Sequence, residues 1–548
     1  WEKDDLEALG LLKVDVLALG MLTAIRKTLQ LVQAITGQTL EMSDIPADDA
    51  AVYEMIRAAD TVGVFQIESR AQMSMLPRLQ PRNYYDLVIQ IAIVRPGPIQ
   101  GNMVHPYLAR RAGREPVSYP SDAVRQVLER TLGIPIFQEQ VMKIAIVAAG
   151  FSGGEADQLR RAMAAWKKKG GLEPFRDKLI QGMTERGYSE AFALQIYSQI
   201  KGFGEYGFPE SHSASFALLA YVSSWLKYHH PAAFTCALLN SHPMGFYAPA
   251  QLVQDAQRHG VMVLPVAVNH SAVDCTLERV PDSSCQPSLQ QEPRLGFRLG
   301  VRLGLRLVKG LSLEGAQRVH QARRLGPFRT VAELVERCAL NSKDREALAA
   351  ADALQELASD RHRAFWEVAG YEQKLPLFAA SEAAAQESGD WPQAGADEQA
   401  VVEIMLPRPT EAQDIIADYV STGLTLRRHP LALLRPHLQR YRVVTAVQLP
   451  QLIDGTLVKV AGIVTSRQRP QTASGVTFMT LEDESGFLNV VVWSTVSERH
   501  RLTVREASLL GVSGRVQISE GVIHVLAGEL VDLSPWLAAL ELRSRDFC

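Results

Sequence analysis

A run of basic side chains between residues 160 and 169 has the composition and spacing to bind phosphate. Ser152 and Glu155 have the spacing of a helix-capping box, which predicts a helix from about Glu155 onward. Residues seven apart on a helix project from nearly one face, and no acidic residue lies between Asp157 and Glu173. The basic residues of this predicted helix are Arg160, Arg161, Lys167, Lys168 and Lys169. Such a face suits a polyphosphate or a nucleic-acid backbone, with a solvated helix surface as the alternative.

A second pattern that could take part in chemistry lies near the start of the chain. The run from Leu12 to Leu17 alternates apolar and charged residues, which predicts a strand with Lys13 and Asp15 on the same face. By itself, a lysine two residues from an aspartate on a strand indicates a surface ion pair.

Glycines and aromatic residues are interleaved just before a histidine in the middle of the chain. Gly202, Gly204 and Gly207 lie among aromatic side chains, and the sequence Ser211-His212-Ser213 follows. Glycine lets the backbone approach a ligand closely, and neighbouring aromatic rings can stack on a base or a sugar. His212 is therefore a candidate ligand contact, although a packing role is the alternative.

The composition limits which classes of protein remain. A chain of 548 residues predicts several domains, and its net charge of -3 means that any nucleic-acid site must come from local clusters of basic residues. Its five cysteines form no CxxC pair, which favours a reducing compartment and argues against a zinc module. No signal peptide opens the chain, and no apolar run reaches membrane-spanning length. The longest candidate, residues 214–226, contains serines and predicts a buried helix. The first residue is Trp1, so we expect a piece of a longer protein.

The strongest cluster of basic residues spans 294–329, where Glu314 is the only acidic residue. Within it, the sequence from Leu307 to Ser312 followed by a helix predicts a helix-hairpin-helix, and a second hairpin is predicted over 340–354. Such hairpins hold duplex phosphates with backbone amides and nearby cations, without reading sequence. The candidate DNA contacts are Lys309, Arg318, Arg323 and Arg324. A basic strand-and-helix surface is the alternative.

Residues 455–533 alternate in the manner of strands separated by Gly and Ser turns. About five strands at this spacing predict an OB-fold, a small barrel that often binds single strands. Arg467 and Arg469 are candidate DNA contacts, together with Phe478 and Trp493 unless those two rings belong to the core.

Several motifs resemble one family of enzymes. The sequences IFQEQVM (136–142), GFSGGEADQLRRAM (150–163) and YGFPESHSASFALLAYVSSWLKYHHP (206–231) resemble the fingers domain of the bacterial C-family DNA polymerases, the DNA polymerase III alpha subunits. The resemblance implies that Arg160, Arg161, Lys167 and His212 bind the incoming nucleotide. Val62–Ser69 resembles the VFQLES segment of the family, and Val94–Pro98 resembles its RPGP turn, which makes Arg95 a candidate DNA contact.

The run around Lys13 resembles the KxDxLGL motif of the same family, although Leu17-Ala18-Leu19-Gly20 departs from it. The resemblance implies that Asp15 is the third metal-coordinating carboxylate of the palm and that Lys13 approaches the triphosphate. Two Mg²⁺ ions would then serve phosphoryl transfer onto a primer, with primer-template DNA and dNTPs as substrates. The first two aspartates of the family have no match in this chain. We therefore expect the 548 residues to bind DNA and nucleotide but not to polymerise alone.

Gln373, Leu375, Leu377 and Phe378 resemble a peptide that binds the sliding clamp, with a plain linker as the alternative. The sequence of the predicted barrel and the end of the chain soon after it resemble the error-prone alpha paralogue. That resemblance implies translesion synthesis with a Y-family-like partner from a DNA-damage-induced cassette. It also implies a cytoplasmic, nucleoid-associated bacterial protein. The competing predictions are a replicative alpha subunit and a non-catalytic DNA-binding or clamp-tethering protein.

The sequence thus predicts a multidomain α+β chain, mainly helical in its polymerase fingers and ending in a β-barrel. The predicted segments are the end of the palm (1–21), the fingers (22–270), a helix-hairpin-helix region (271–378), a flexible linker (379–400), connecting helices (401–454) and the OB-fold with its tail (455–548).

Overall fold

The computed structural model describes residues 9–11, 19–95, 103–164, 172–202, 208–244, 247–280, 298–371, 406–469, 475–519 and 521–537. The chain forms two compact units, the first consisting mainly of residues up to Val261 and the second mainly of residues from Met262 onward. No helix in these ranges is both long and apolar enough to cross a lipid bilayer.

The first unit is helical in its described parts. Its helices are α1 (Leu19–Thr36), α2 (Ala50–Arg57), α3 (Arg70–Leu79), α4 (Tyr84–Ile93), α5 (Val104–Arg111), α6 (Asp122–Leu128), α7 (Gln138–Ala149), α8 (Gly153–Ala164), α9 (Glu173–Glu185), α10 (Glu190–Gly202), α11 (Glu210–His229), α12 (Pro231–Leu239) and α13 (Pro249–Arg258). Polar caps begin several of them: Asp49, Ser69, Asn83 and Ser121 each accept a backbone N–H of the first turn. These caps satisfy amides that have no partner within the helix.

Helix α11 packs against α4, α2, α1 and α12 at the centre of this unit. Small residues on its buried face let α4 approach closely, and polar groups join the two helices across the contact. Ser213 Oγ donates to the Val88 carbonyl at 2.5 Å, and Tyr84 Oη donates to the Ala214 carbonyl at 2.6 Å. The buried segment that was predicted at 214–226 is therefore part of the core helix α11.

Helices α8 and α9 both pack against α7. Gly182 of α9 lies so close to α7 that a Cβ atom there would be 2.2 Å from the Ala149 carbonyl oxygen. On the other side, Lys178 of α9 forms an ion pair with Glu155 of α8. These contacts place the arginines of α8 on a supported helix.

The second unit combines a small sheet, helices and a barrel. Its elements up to residue 440 are β1 (Met262–Leu264), β2 (Thr276–Val280), β3 (Arg298–Arg302), α14 (Leu313–Ala322), α15 (Val331–Cys338), α16 (Ser342–Ala350), α17 (Gln355–Ala358), α18 (Arg361–Ala369), α19 (Glu411–Ser421) and α20 (Pro430–Arg440). The sheet has the order β1-β3-β2, and β1 runs parallel to β3 with Val263 opposite Val301.

The remaining elements form the barrel and its connections. They are β4 (Val443–Val444), β5 (Leu457–Gln468), β6 (Thr477–Asp483), β7 (Gly486–Val492), α21 (Ser494–Arg499), α22 (Arg501–Glu506), β8 (Leu509–Ser519) and β9 (Val522–Asp532). Their order is β4-β5-β6-β7-β9-β8, and antiparallel pairing of β5 with β8 closes the barrel. Alternate residues such as Val460, Met479 and Val490 fill its core. The predicted five-stranded barrel and the predicted multidomain α+β class are confirmed.

Two arginines join the helices of the second unit through buried aspartates. Arg361 of α18 is 3% exposed and donates to Asp414 and Asp418 of α19, each at 2.5 Å. Arg427 donates to Asp418 and to Asp352, each at 2.8 Å. Burial raises the pKa of the Asp414 carboxyl, against the attraction of both guanidinium groups. The network therefore connects α18 and α19 to the turn after α16.

Replacing Arg361 by Ala should destabilise the second unit by about 3–5 kcal/mol, because Asp418 and Asp414 would lose a buried partner. Urea unfolding of the chain measures this change. Arg363→Ala is the matched control on the same helix, since Arg363 forms an exposed pair with Glu367 at 3.2 Å and its loss should cost at most about 0.5 kcal/mol. Equal losses in the two variants would contradict the structural role of Arg361.

Candidate nucleotide and nucleic-acid interface

The two predicted nucleotide-binding arginines of α8 share one carboxylate. Arg160 donates from Nε and Nη2 to Asp157 Oδ1 at 2.9 and 2.8 Å, and Arg161 Nη2 lies 2.8 Å from Asp157 Oδ2. The hydrogen bond from Arg160 lowers the pKa of Asp157, and the charge of Arg161 acts in the same direction. Two cations share one anion, so this part of α8 carries a net positive charge. Arg161 is the more exposed of the two arginines, with 74% of its side chain in contact with solvent.

The predicted capping box at the start of α8 is present. The Ser152 hydroxyl accepts from the Glu155 amide at 3.3 Å, and Glu155 Oε2 accepts from the Ser152 amide at 2.9 Å. The helix begins at Gly153, close to the predicted start. Lys167, the third predicted nucleotide contact, lies outside the described residues.

Arg95 is the point at which three sequence motifs meet. Its Nη2 donates to Gln66 Oε1 at 3.2 Å, and its guanidinium lies 4.8 Å from the centre of the Phe208 ring. Gln66 belongs to the 62–69 motif and has a left-handed backbone with φ of 65°, which is uncommon for a residue other than glycine. Phe208 is fully buried and begins the segment that leads into α11.

His212 belongs to the same cluster. Its ring lies 5.2 Å from Phe208 and 4.1 Å from Phe216, and the residue is exposed at the surface. Burial lowers the pKa of His212 and the charge of Arg95 lowers it further, so the ring is neutral at pH 7. A neutral imidazole beside an arginine can accept or donate a hydrogen bond, and it adds no second positive charge.

The start of α11 has further partners that the sequence did not single out. Glu139 of α7 accepts the Glu210 amide at 3.0 Å, and Tyr85 of α4 donates to Glu210 Oε1 at 2.7 Å. The Arg130 guanidinium stacks 3.5 Å from the centre of the Tyr85 ring. The IFQEQVM motif at 136–142 thus supports the same end of α11 as Arg95. The position of Glu139 in that motif is the sequence feature from which this contact could have been predicted.

The predicted cations of the helix-hairpin-helix region differ in what they contact. Lys309 binds the end of α19, donating from its amide to the Ser421 carbonyl at 2.7 Å and from Nζ to the Tyr419 carbonyl at 3.1 Å. Arg318 donates to the Cys338 carbonyl at 2.7 Å, and Arg323 donates to the Ser271 carbonyl at 2.8 Å. Arg324 is exposed to solvent. Lys309 is exposed as well, but its Nζ already binds a backbone carbonyl.

Asp344 joins the two hairpins. It is 1% exposed and accepts from the Ser312 amide at 2.8 Å and from the Asn341 side-chain amide at 3.0 Å. Ser312 caps α14 and Asn341 caps α16, so one carboxylate fixes both helix starts. Gly315 is required beside it, because a Cβ atom there would lie 2.7 Å from Asp344 Oδ2.

The candidate residues of the barrel differ in their contacts and in their exposure. Arg467 donates to the Val504 carbonyl at 2.8 Å and also binds the Ala507 carbonyl, so it attaches α22 to β5. Arg469 and Trp493 are exposed, and Trp493 presents 52% of its surface. Phe478 is partly buried and lies opposite Val491 on the strand pair β6–β7. The exposed cation and ring together form a surface suited to stacking on an unpaired base.

In the part of the chain that the structure describes, one group of side chains has metal-ligand spacing, namely Asp60, Asp255 and His259. Lys227 Nζ already binds both carboxylates, at 2.9 Å from Asp60 and 2.8 Å from Asp255. The ammonium thus supplies the positive charge that a metal would bring, and we assign this group to the core of the first unit. Lys13 and Asp15, the predicted catalytic residues, lie outside the described residues, as do Gln373, Leu375, Leu377 and Phe378.

Comparison with known proteins identifies the class to which these parts belong. Residues 21–187 match the finger domain of the bacterial DNA polymerase III alpha subunit, residues 260–364 match a helix-hairpin-helix motif, and residues 458–533 match an OB-fold nucleic acid binding domain. The fingers match contains Arg95, Arg160 and Arg161. The chain thus resembles a polymerase fingers region followed by two modules of nucleic-acid-binding type.

Similarity to individual proteins gives more detail than the matches to domain families. The chain is 60% identical over 559 residues to the error-prone DNA polymerase of Methylococcus capsulatus, 58% identical over 550 residues to that of Alkalilimnicola ehrlichii and 54% identical over 548 residues to that of Pseudomonas aeruginosa. Each alignment covers 100% of this chain but 51%, 50% and 50% of the relative, respectively. The chain is thus similar along its whole length to bacterial error-prone DNA polymerases, and it spans about half the length of the curated relatives it matches.

The group formed by Lys227, Asp60, Asp255 and His259 predicts that the stability of the first unit depends on pH. Burial opposes the charge of His259, but the hydrogen bond to Asp60 outweighs it and raises the pKa of His259. This stabilisation is complete below the pKa of an unfolded histidine, about 6.5, and it is lost as pH rises through the higher folded value. The free energy of unfolding should therefore fall from about pH 6 to about pH 9 in the wild type and change less in His259→Gln.

Urea unfolding at the two pH values measures this difference. The lowered pKa of Asp60 affects the stability only below this window, where an ordinary aspartate becomes protonated. His105→Gln is the control, since His105 is exposed and should leave the pH dependence unchanged. A His259→Gln variant with the pH dependence of the wild type would show that His259 carries no charge in the fold.

Proposed function

We propose that the protein containing this chain is an error-prone, DNA-directed DNA polymerase that adds dNTPs to a primer during synthesis past DNA damage. The similarity of the entire chain to error-prone DNA polymerases carries this proposal. Arg95, Arg160 and Arg161, which the sequence nominates for binding, all lie within the match to the polymerase fingers. These 548 residues alone should bind DNA and nucleotide without extending a primer.

The proposed reaction is phosphoryl transfer assisted by divalent metal. Two Mg²⁺ ions, when bound, would activate the primer 3′-oxygen and neutralise the leaving pyrophosphate. Asp15 offers a carboxylate, the ligand type that Mg²⁺ prefers, and Lys13, two residues before it in sequence, would approach the triphosphate. The remaining carboxylates would come from parts of the protein beyond this chain.

The proposed role of α8 is to stabilise negative charge on the incoming nucleotide. Arg161 is exposed, and its partner Asp157 is shared with Arg160, so a triphosphate can replace Asp157 as the acceptor without leaving a buried charge unpaired. Lys167 would extend the same positive surface. His212, neutral and exposed beside Phe208, would contact the sugar or base through its ring.

The proposed DNA contacts are Arg95 and residues of the helix-hairpin-helix region and of the barrel. Arg324 would bind duplex phosphate directly, whereas Lys309, Arg318 and Arg323 would act mainly by holding the backbone that surrounds the hairpins. Arg469 and Trp493 would receive an unpaired template strand, while Arg467 would hold α22 in place. Gln373, Leu375, Leu377 and Phe378 are proposed to bind the sliding clamp, and a Y-family-like protein is the proposed partner in mutagenesis.

Asp15→Ala in the full-length protein should abolish primer extension with Mg²⁺, because a metal loses a carboxylate ligand, while primer-template affinity stays unchanged. Primer extension and DNA-binding titrations measure the two effects. Asp48→Ala, at an exposed loop position, is the control and should keep full activity. Substantial extension by Asp15→Ala would show that Asp15 is not a metal ligand.

Arg161→Ala in the full-length protein should raise the nucleotide KM or lower kcat by on the order of 100-fold, since a positioned cation would no longer stabilise the triphosphate. Steady-state nucleotide titrations measure this, and primer-template affinity should change far less. Arg176→Ala is the matched control, because Arg176 is an exposed arginine of α9 paired only weakly with Asp177 at 3.5 Å. Normal nucleotide kinetics together with weakened, less salt-dependent DNA binding would place duplex instead of nucleotide on α8.

A further inference from the structure

The loop 322–328, which follows α14, is held rigidly by an arginine of the next helix. Arg337 Nη2 donates to the Ala322 carbonyl at 2.6 Å and to the Gly326 carbonyl at 2.9 Å. The Arg337 guanidinium also stacks on Phe328, 4.5 Å from the ring centre. One side chain thus fixes both ends of the loop.

A second arginine fixes the loop from the other side. Arg323 Nη1 donates to the Ser271 carbonyl at 2.8 Å and to the Val268 carbonyl at 3.3 Å. Gly326 has φ 129° and ψ 162°, a backbone conformation that is essentially restricted to glycine. The turn therefore has a defined shape before any ligand binds.

This rigid turn presents a leucine to solvent. Leu325 is 87% exposed, the highest exposure of any large hydrophobic residue in the part of the chain that the structure describes. Arg324 and Arg329 flank it and are exposed as well. The nearest acidic side chain in sequence, Glu333, points back to the loop, where it binds Arg337 at 2.7 Å and the Arg329 amide at 2.8 Å. The tip is therefore apolar at its centre and positive at its edges.

We propose that Leu325 enters the minor groove of duplex DNA, where it packs on deoxyribose and base edges while Arg324 binds an adjacent phosphate. The inference rests on the proposed function, which assigns duplex binding to this region, and it adds a contact that is neither ionic nor a hairpin amide. A single narrow turn fits the minor groove, which is about 6 Å wide, whereas the major groove accommodates a whole helix. Proteins that bind the minor groove combine arginines with apolar wedges in this way.

The charge around Leu325 favours nucleic acid over an apolar protein surface. Burial lowers the pKa of His320, and the nearby charges of Arg323 and Arg324 lower it further, which shows how positive this side of α14 is. In a DNA groove, the arginines beside Leu325 would face the phosphates at the edges, and Leu325 would face the deoxyribose between them. The rigid backbone means that insertion requires little ordering of the loop.

The test compares four forms of the 548-residue chain in binding to a labelled short duplex across a salt series. Leu325→Ala should weaken binding by about tenfold with an unchanged salt slope, because no phosphate contact is lost. Arg324→Ala should reduce the slope by about one unit, as expected for one phosphate. Ile453→Ala is the matched control, since Ile453 is 81% exposed but lies beside an aspartate, and it should bind as the wild type does.

A competition experiment locates the groove. Netropsin, which fills the minor groove of A·T-rich duplex, should displace the wild-type chain, and methyl green in the major groove should not. Wild-type affinity of Leu325→Ala, or displacement by methyl green alone, would overturn the insertion of Leu325 while leaving duplex binding intact. No duplex binding by the wild-type chain at low salt would instead reject the proposed function of this region.

Discussion

Hydrogen-bond donors on arginine and lysine must find acceptors when they leave water, and this requirement organises both units. Lys227 meets it with Asp60 and Asp255, and Arg361 meets it with Asp414 and Asp418. Removing either partner of such a buried pair is costly, so these pairs determine which helices are adjacent. Arg323 meets the same requirement with backbone carbonyls. The cations that are not held in such contacts, among them Arg324, are the ones proposed to bind phosphate.

This distinction separates structural from ligand-binding cations in the proposed polymerase. Arg318 and Arg467 donate to backbone carbonyls and hold neighbouring helices, whereas Arg161 pairs with an aspartate of its own helix and Arg324 is exposed. A polymerase must hold duplex without reading its sequence, so a few accessible cations on a rigid backbone are sufficient. The structural arginines serve that purpose indirectly, because they make the backbone rigid.

The Arg95 cluster explains why motifs distant in sequence occur together in one chain. Gln66, Arg95 and Phe208 come from three separate segments, and α11 carries His212 into the same place. Glu139 and Tyr85 support the start of α11 from two further helices. A change in any of these segments therefore alters the surroundings of His212, although all of them except the one with Phe208 are distant from it in sequence.

Local patterns in the sequence determined the helix start at Ser152 and Glu155, the buried helix at 214–226 and the closed barrel after residue 455. Each of these depends on near neighbours or on a strand period of two, which a sequence displays directly. The family could also be predicted, since its motifs are contiguous. By contrast, Arg323 and Arg324 are identical in type and adjacent, and only the fold turns one towards Ser271 and leaves the other in solvent. Lys227 likewise meets Asp60 across 167 residues. Such pairings depend on how distant helices pack, and the tertiary structure alone decides them.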